Sequence, residues 1–216
     1  MRIKWQLALD VLSTEEALKL CDLFYDYVDI LEIGTPLIVA EGMRPVREVK
    51  KNFPGKTLLA DTKIMDGADY MAKMVYEAGA DIFTVMAVAD DYCHMNHARI
   101  AHEYGKLAEA DLMYVTNVEE RIAQLSDYGI DLFEVHACSE ALRPHELKMN
   151  YIKRAMASVS AERISLAHSF TFETVEKVIP LKPGIIVFMA PFMNESDTDK
   201  IIEMAKKARA MFDEYV

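Results

Sequence analysis

One regularity constrains this chain more than any other. A short β-branched or aliphatic run is followed by an amphipathic helical stretch, and the unit restarts until eight runs have passed. The runs predict strands at Ile3–Leu9, Val28–Ile33, Thr57–Ala60, Ile82–Met86, Ala110–Val115, Leu132–Val135, Ile164–Ala167 and Ile185–Met189, with a last helix from about Asp197 to Tyr215. Near-continuous apolar strands between helices predict a parallel sheet buried on both faces. Eight such units without a Pro/Gly/Ser-rich linker predict one α/β domain over residues 1–216, a (β/α)8 TIM barrel, rather than an open doubly wound sheet. GxGxxG and P-loop motifs are missing from the sequence, which argues against a nucleotide fold.

Local signals agree with that register. Ser13-Thr14-Glu15-Glu16, Thr116-Asn117-Val118-Glu119-Glu120 and Ser196-Asp197-Thr198-Asp199 place a cap and acidic residues at helix starts. Gly79 and Gly129 stand where a left-handed helix end is wanted just before a strand.

Composition narrows the function classes. The formal net charge of −11 argues against nucleic-acid binding, which rests on clustered Lys and Arg. No apolar run approaches the ~18 residues of a membrane span, and MRIKWQLALD reaches an aspartate too soon for a signal peptide, so a cytoplasmic location is expected. Cys21, Cys93 and Cys138 lack metal-type spacing and are expected to be reduced thiols. His94, His97 and His102 are expected on a helix surface, and the fourteen methionines as core filler.

In such a barrel, chemistry sits where strands end and helices begin. The strand ends here carry Asp10, Glu32, Asp61, Lys63, Asp66, Asp111, His136 and His168. A carboxylate inside a barrel strand must be paired, protonated or metal-bound. Glu32 and Asp61 on adjacent strands, with Asp111 across the barrel, suit a hard divalent ion, Mg²⁺ first and Mn²⁺ second. Asp61-x-Lys63-x-x-Asp66 puts a lysine between carboxylates, where it can stabilise an anionic transition state or protonate a carbanion. The structural alternative is a helix-capping Asp66 beside a surface Lys63. His136 can act as an acid/base or donate to a substrate oxygen.

These segments resemble a known family. Leu7-Ala8-Leu9-Asp10, Val28 through Pro36, Glu41-Gly42, Leu59 through Asp66 and Val135-His136 are similar, in matching order, to 3-hexulose-6-phosphate synthase and its sister 3-keto-L-gulonate-6-phosphate decarboxylase, in the orotidine-5′-phosphate decarboxylase superfamily. The similarity runs from the N-terminus to about His136. It implies a homodimer with active sites shared across the interface, Mg²⁺ on Glu32 and Asp61, and an enediolate intermediate. It implies that Lys63 and His136 bind substrate and handle protons, that Asp66 reaches into the partner's site, and that Asp10 and Asp111 line the pocket. The implied chemistry is aldol condensation or cleavage of a ketohexose phosphate, or decarboxylation of a keto-sugar-acid phosphate.

The phosphate half departs from the family. Ala167-His168-Ser169-Phe170 and Phe188-Met189-Ala190-Pro191-Phe192-Met193-Asn194 stand where glycine-rich turns are expected, and the loop after His136 reads Ala137-Cys138-Ser139-Glu140. Pro191 removes a donor, and Phe170, Phe192 and Met193 add bulk. His168, Ser169 and Asn194 are the candidates to replace the lost donors. Otherwise the substrate lacks a phosphate or has an apolar part. The leading expectation is a Mg²⁺-dependent carbon–carbon lyase acting on a sugar phosphate or analogue. The second is a catalytically silent ligand-binding or scaffolding paralogue. Ribulose-phosphate 3-epimerase chemistry is weaker, because it wants His and Asp around one metal.

Overall fold

A computed structural model describes residues 2–137 and 147–214. Cys138, Ser139, Glu140 and Tyr215 lie outside the described residues. The strands β1 (Lys4–Leu9), β2 (Ile30–Ile33), β3 (Thr57–Ile64), β4 (Ile82–Met86), β5 (Leu107–Asp111), β6 (Leu132–His136), β7 (Ile164–Ala167) and β8 (Ile185–Val187) close in sequence order into a barrel. Every neighbouring pair is parallel, β8 against β1 included. The helices are α1 (Thr14–Phe24), α2 (Thr35–Glu41), α3 (Arg44–Asn52), α4 (Ala68–Glu77), α5 (Asp91–Glu103), α6 (Val118–Asp127), α7 (Met149–Ser158), α8 (Phe172–Val178) and α9 (Thr198–Asp213).

The caps follow the local chemistry. The Ser13 side chain accepts from the Glu16 amide and Asp197 from those of Asp199 and Lys200. Asn117 stands at the N-cap of α6 but makes no side-chain cap; its amide donates to Glu120 instead, at 2.6 Å. Gly79 and Gly129 turn left-handed at φ 111° and 91°.

Two expectations need correction. The fifth strand is Leu107–Asp111, not Ala110–Val115. Glu109 interrupts the apolar run and hides the strand's first half, while Tyr114 at φ 66° turns the chain after Leu112. His94 and His97 are fully buried rather than on the surface. Their spacing puts them on one helix face, and that face is the inner one, where the His97 ring centroid lies 4.1 Å from that of Phe83. The methionines largely fill the core as expected: Met86 is buried and Met43, Met71, Met149, Met156, Met189, Met204 and Met211 pack against the core, while Met65, Met74, Met95 and Met193 are exposed.

Between sheet and helices, Trp5 anchors an aromatic cluster with Phe24, Phe188, Phe192 and Phe212, and its indole N–H donates to the Phe188 carbonyl at 2.7 Å. Phe170 and Phe192 therefore serve the core, and of the three bulky residues after β7 and β8 only Met193 is exposed.

The barrel interior is built in layers drawn from alternate strands. The bottom is apolar, with Ile30, Leu59, Ile82, Leu132 and Ile185 packed together. Above them the fill turns polar. Gln6, Glu109 and Ser165 come from β1, β5 and β7; Glu32, Thr84 and Glu134 come from β2, β4 and β6; and Asp61 and Asp111 complete the top on β3 and β5. All eight are buried.

Candidate active site

The mouth is organised by Lys63. The register between β3 and β4 shifts between Ala60 and Ile64, and Lys63 takes φ 47°, a left-handed conformation uncommon outside glycine. Its amide donates to Thr84 Oγ1 at 3.1 Å, which holds the bulge. The side chain then turns inward. Its Nζ donates to Asp61 Oδ2 at 2.7 Å and to Asp111 Oδ2 at 3.2 Å, and lies 3.4 Å from His136 Nδ1.

Asp61 is fixed from two sides. Thr35 Oγ1 donates to Oδ2 at 2.8 Å and Thr84 Oγ1 to Oδ1 at 2.7 Å. Glu32 lies on the adjacent strand, and Gln6 Nε2 donates to its Oε2 at 2.7 Å. Asp111 accepts from the Met113 amide at 2.8 Å and from His136 Nδ1 at 2.9 Å. Glu134 Oε2 is 3.4 Å from the same nitrogen. Asp10 stands at the end of β1 against Gly34, where a Cβ would collide with its Oδ1 and sit 3.0 Å from the Leu9 carbonyl.

Burial and charge set the protonation states. Burial and then the Asp61 charge raise Glu32 well above its ordinary value. Burial and Asp61 also raise Asp10. Burial would strip the proton from Lys63, but Asp61, Glu134 and Asp111 outweigh it and hold the ammonium charged. Burial likewise opposes the imidazolium of His136, yet hydrogen bonds to Asp111 and Glu134 push it up to about 11. Asp111 is lowered because the His136 bond and charge, with Lys63, overcome its burial. Glu109 and Glu134 are raised, burial first; Glu134 is the next cause for Glu109.

Asp10, Glu32, Asp61, Lys63, His136, His168 and Ser169 line one cavity of 420 Å³. Asp111 lies below, against Lys63 and His136. Two candidates fall elsewhere. Asn194 is exposed in the turn after Phe192, outside the lining of this cavity. Asp66 is exposed beyond β3, its Oδ1 accepting from the Gly67 amide at 2.8 Å, and does not line its own barrel's mouth. Gln6, Thr84, Glu109, Glu134 and Ser165 are not among the residues that the sequence singles out. A period-two signal exists for two of them, because Glu134 precedes His136 and Glu109 precedes Asp111 by two residues, hence on the same face.

The residues present fit a divalent cation in one of two places. Among the described residues, Asp111, Glu134 and His136 bring ligand atoms within 4.8 Å of one another. An imidazolium has no lone pair at Nδ1, however, and His136 is held as a cation by both carboxylates. Glu32 and Asp61, on adjacent strands and both lining the cavity, are the second place, where Glu32, raised by burial and Asp61, must give up its proton to the cation. Repulsion between their charges is relieved by a hard cation with oxygen ligands.

Fold and site together define a class: a (β/α)8 barrel whose mouth sets a lysine and a histidinium among buried carboxylates, equipped for proton transfer. Within it, the chain belongs to the orotidine 5′-phosphate decarboxylase / HUMPS family, whose model matches residues 4–148. It is 32% identical to a 3-hexulose-6-phosphate synthase of Staphylococcus epidermidis, covering 95% of this chain and 96% of that one. The likeness thus continues past His136, where the motifs stop. Among solved structures, a 3-hexulose-6-phosphate synthase from Salmonella typhimurium superposes at a TM-score of 0.91 with 30% identity, over 99% of this chain and 100% of the other. A KGPDC from Streptococcus mutans shares the fold at a TM-score of 0.84 and 19% identity, over 98% and 99% of the chains.

Proposed function

We propose that this chain is a metal-dependent carbon–carbon lyase of the hexulose-phosphate-synthase type, acting on a keto-sugar phosphate or related hydroxyketone through an enediolate. The observation that carries the reading is Lys63 Nζ held between Asp61 and Asp111 at the mouth, beside His136. A divalent cation, Mg²⁺ or Mn²⁺, would be held by Glu32 and Asp61 and would supply positive charge against a developing enediolate.

The protein's own groups account for the rest. Lys63, fixed as a cation between two carboxylates, meets negative charge as it forms and returns a proton to carbon. Asp111 and Glu134 engage His136 at Nδ1, so Nε2 is the ring nitrogen offered to a substrate oxygen. Asp10 supplies a hydrogen-bond acceptor at the rim. Substrate hydroxyls are recognised by carboxylates, which accept such bonds strongly.

The reading includes a homodimer. Met65, Tyr70, Met74, Val88, Tyr92 and Met95 are exposed on α4, α5 and the strand ends beside them, next to Asp66, and such apolar surface supports a subunit contact. Asp66, outside its own mouth, then serves the neighbouring one.

The test is turnover. Asp61→Ala or Lys63→Ala abolishes aldol activity on a pentulose phosphate and formaldehyde, and decarboxylation of a keto-acid phosphate, while the circular dichroism spectrum stays native. Full activity in either variant rejects the lyase. Metal-dependent stabilisation with no turnover on any ketose favours the silent binding protein.

A further inference from the structure

We infer that Glu109 is a positioning residue of the reaction: it carries a proton, offers it to the Glu134 carboxylate, and so keeps Glu134 available to hold His136. This rests on the lyase reading above.

Glu134 lines the mouth cavity; Glu109, one layer below on β5, does not line it and is fully buried. The sheet pairs Glu134 of β6 with Asp111 on one side and with Ser165 of β7 on the other. Yet Ser165 Oγ donates to Glu109 Oε1, at 2.5 Å, and not to its neighbour in the ladder. To reach β7 from β5, the Glu109 side chain must cross the inner face of β6, where Glu134 projects. That path brings the two carboxyl groups side by side.

The charges that act most on Glu109 are those of Glu134, Asp111 and Asp61, all of its own sign. The cations of the mouth are held elsewhere, Lys63 by Asp61 and Asp111, and His136 by Asp111 and Glu134. An ionised carboxylate in a dry interior among like charges is prohibitively costly, so Glu109 is neutral. A neutral carboxyl has one O–H to give. Ser165 occupies Oε1, which leaves the proton on Oε2.

Among the described residues, three buried side-chain oxygens have no hydrogen-bond partner: Gln6 Oε1, Glu109 Oε2 and Glu134 Oε2. A proton on Glu109 Oε2 turns one of these acceptors into a donor, and a single bond then satisfies two of the three. Gln6 is neutral and stands on the opposite wall, on β1. Glu134 is on the neighbouring strand and carries the charge that draws a proton. The bonds therefore run from Ser165 to Glu109 to Glu134, from the core toward the mouth.

At the end of that line, Glu134 Oε2 lies 3.4 Å from His136 Nδ1, whose proton goes to Asp111 Oδ2 at 2.9 Å. Kept as an anion, Glu134 sets a second negative charge beside the ring and holds Nε2 toward the substrate. Without the Glu109 donor, Glu134 would be a bare buried anion and would take up a proton itself. His136 would then depend on one Asp111 oxygen that Lys63 already shares. Glu109 thus acts on the reaction only through Glu134 and His136.

The experiment compares wild type with Glu109→Gln, Glu109→Leu and Glu134→Gln, all with Mg²⁺ and all checked for a native circular dichroism spectrum. Glutamine keeps an N–H donor for Glu134, whereas leucine keeps bulk and removes the donor. With a pentulose phosphate and formaldehyde, Glu109→Leu should lose about tenfold or more in kcat while KM stays within about threefold of wild type. Glu109→Gln should recover kcat to within about threefold. A merely structural role would not separate these two variants in kcat at equal KM. Infrared spectra of protein carrying isotope-labelled glutamate read the proton itself. A carboxylic-acid band of the wild type should vanish in Glu109→Gln and move in Glu134→Gln; these two variants decide the matter if Glu109→Leu does not fold. Wild-type kcat in Glu109→Leu, an acid band undiminished in Glu109→Gln, or a band unmoved in Glu134→Gln each overturns the inference and leaves the lyase standing. Absence of turnover from the wild type on these substrates removes the lyase reading and this role with it.

Discussion

His136 Nδ1 lies 2.9 Å from Asp111 Oδ2, and Lys63 Nζ lies 3.2 Å from that same oxygen. One buried carboxylate oxygen therefore orients both cations of the mouth. Because Asp111 has no solvent exposure at its side chain, releasing either cation to water leaves this buried charge with only the other to balance it.

The first consequence concerns the imidazole. Burial opposes its charge, but Asp111 and Glu134 push His136 up to about 11. A raised histidine stabilises the fold fully below its unfolded value of about 6.5, and that contribution is lost only as pH rises through the folded value. The His136 Cε1 proton should therefore not titrate across neutral pH by NMR. In Asp111→Asn a titration should appear within that range. An unchanged flat profile in the variant would show that Asp111 does not hold the proton.

Glu109 makes a prediction of the opposite chemical kind. It is fully buried, its Oε1 accepting from Ser165 Oγ at 2.5 Å, and burial plus Glu134 raise its carboxyl. A raised carboxyl contributes fully below its unfolded value of about 4.3, and stability falls as pH climbs toward the folded value. Glu109→Gln should unfold at higher urea concentration than wild type at pH 8 and show a smaller difference at pH 5, on the order of 1–3 kcal/mol at the alkaline end. Equal midpoints at both pH values would count against a protonated Glu109.

His94 and His97 govern the acid side. Burial lowers both, His94 to about 4, with Arg121 adding for His94 and the His94 charge for His97. A histidine buried neutral loses stability as pH falls below its unfolded value, because only the unfolded chain takes up the proton readily. For His94 the loss should run from about pH 6.5 down to about 4 and amount to roughly 3 kcal/mol; for His97 it begins at the same unfolded value and has the same sign. His97→Leu, which keeps an apolar contact with Phe83, should flatten the fall of the thermal midpoint over that window.

Gly34 tests the rim. Its φ of −66° is ordinary, so its role is steric and not conformational. An alanine Cβ would collide with Asp10 Oδ1 and crowd the Leu9 carbonyl. Gly34→Ala should cost about 1–3 kcal/mol as overpacking, and should cut turnover by displacing Asp10. Gly34→Ala with native activity would place Asp10 outside the working mouth.

Much of this protein is legible along the chain because its periodicities are local. Alternating apolar runs and amphipathic stretches require strands buried on both faces, and Ser13, Asp197, Gly79 and Gly129 mark where helices begin and end. Strand-end residues fall on the barrel's working rim by topology, so Asp10, Glu32, Asp61, Lys63, Asp111 and His136 can be gathered from the sequence alone. The fifth strand escapes that reading because Glu109, a polar residue in a fully buried strand, breaks the apolar signal that identifies one. His94 and His97 escape it because helical spacing tells that two residues share a face but not which way the face looks.

Sequence by itself thus determined the barrel and the roster of its rim, since both follow from short-range patterns repeated in order. Only the closed sheet decided that Gln6, Thr84, Glu109, Glu134 and Ser165 support that rim. It also decided that Lys63 leaves the regular strand at a left-handed bulge. Those outcomes depend on contacts between residues far apart in sequence or on backbone torsions set by their neighbours. Such contacts have no signature until the last strand meets the first.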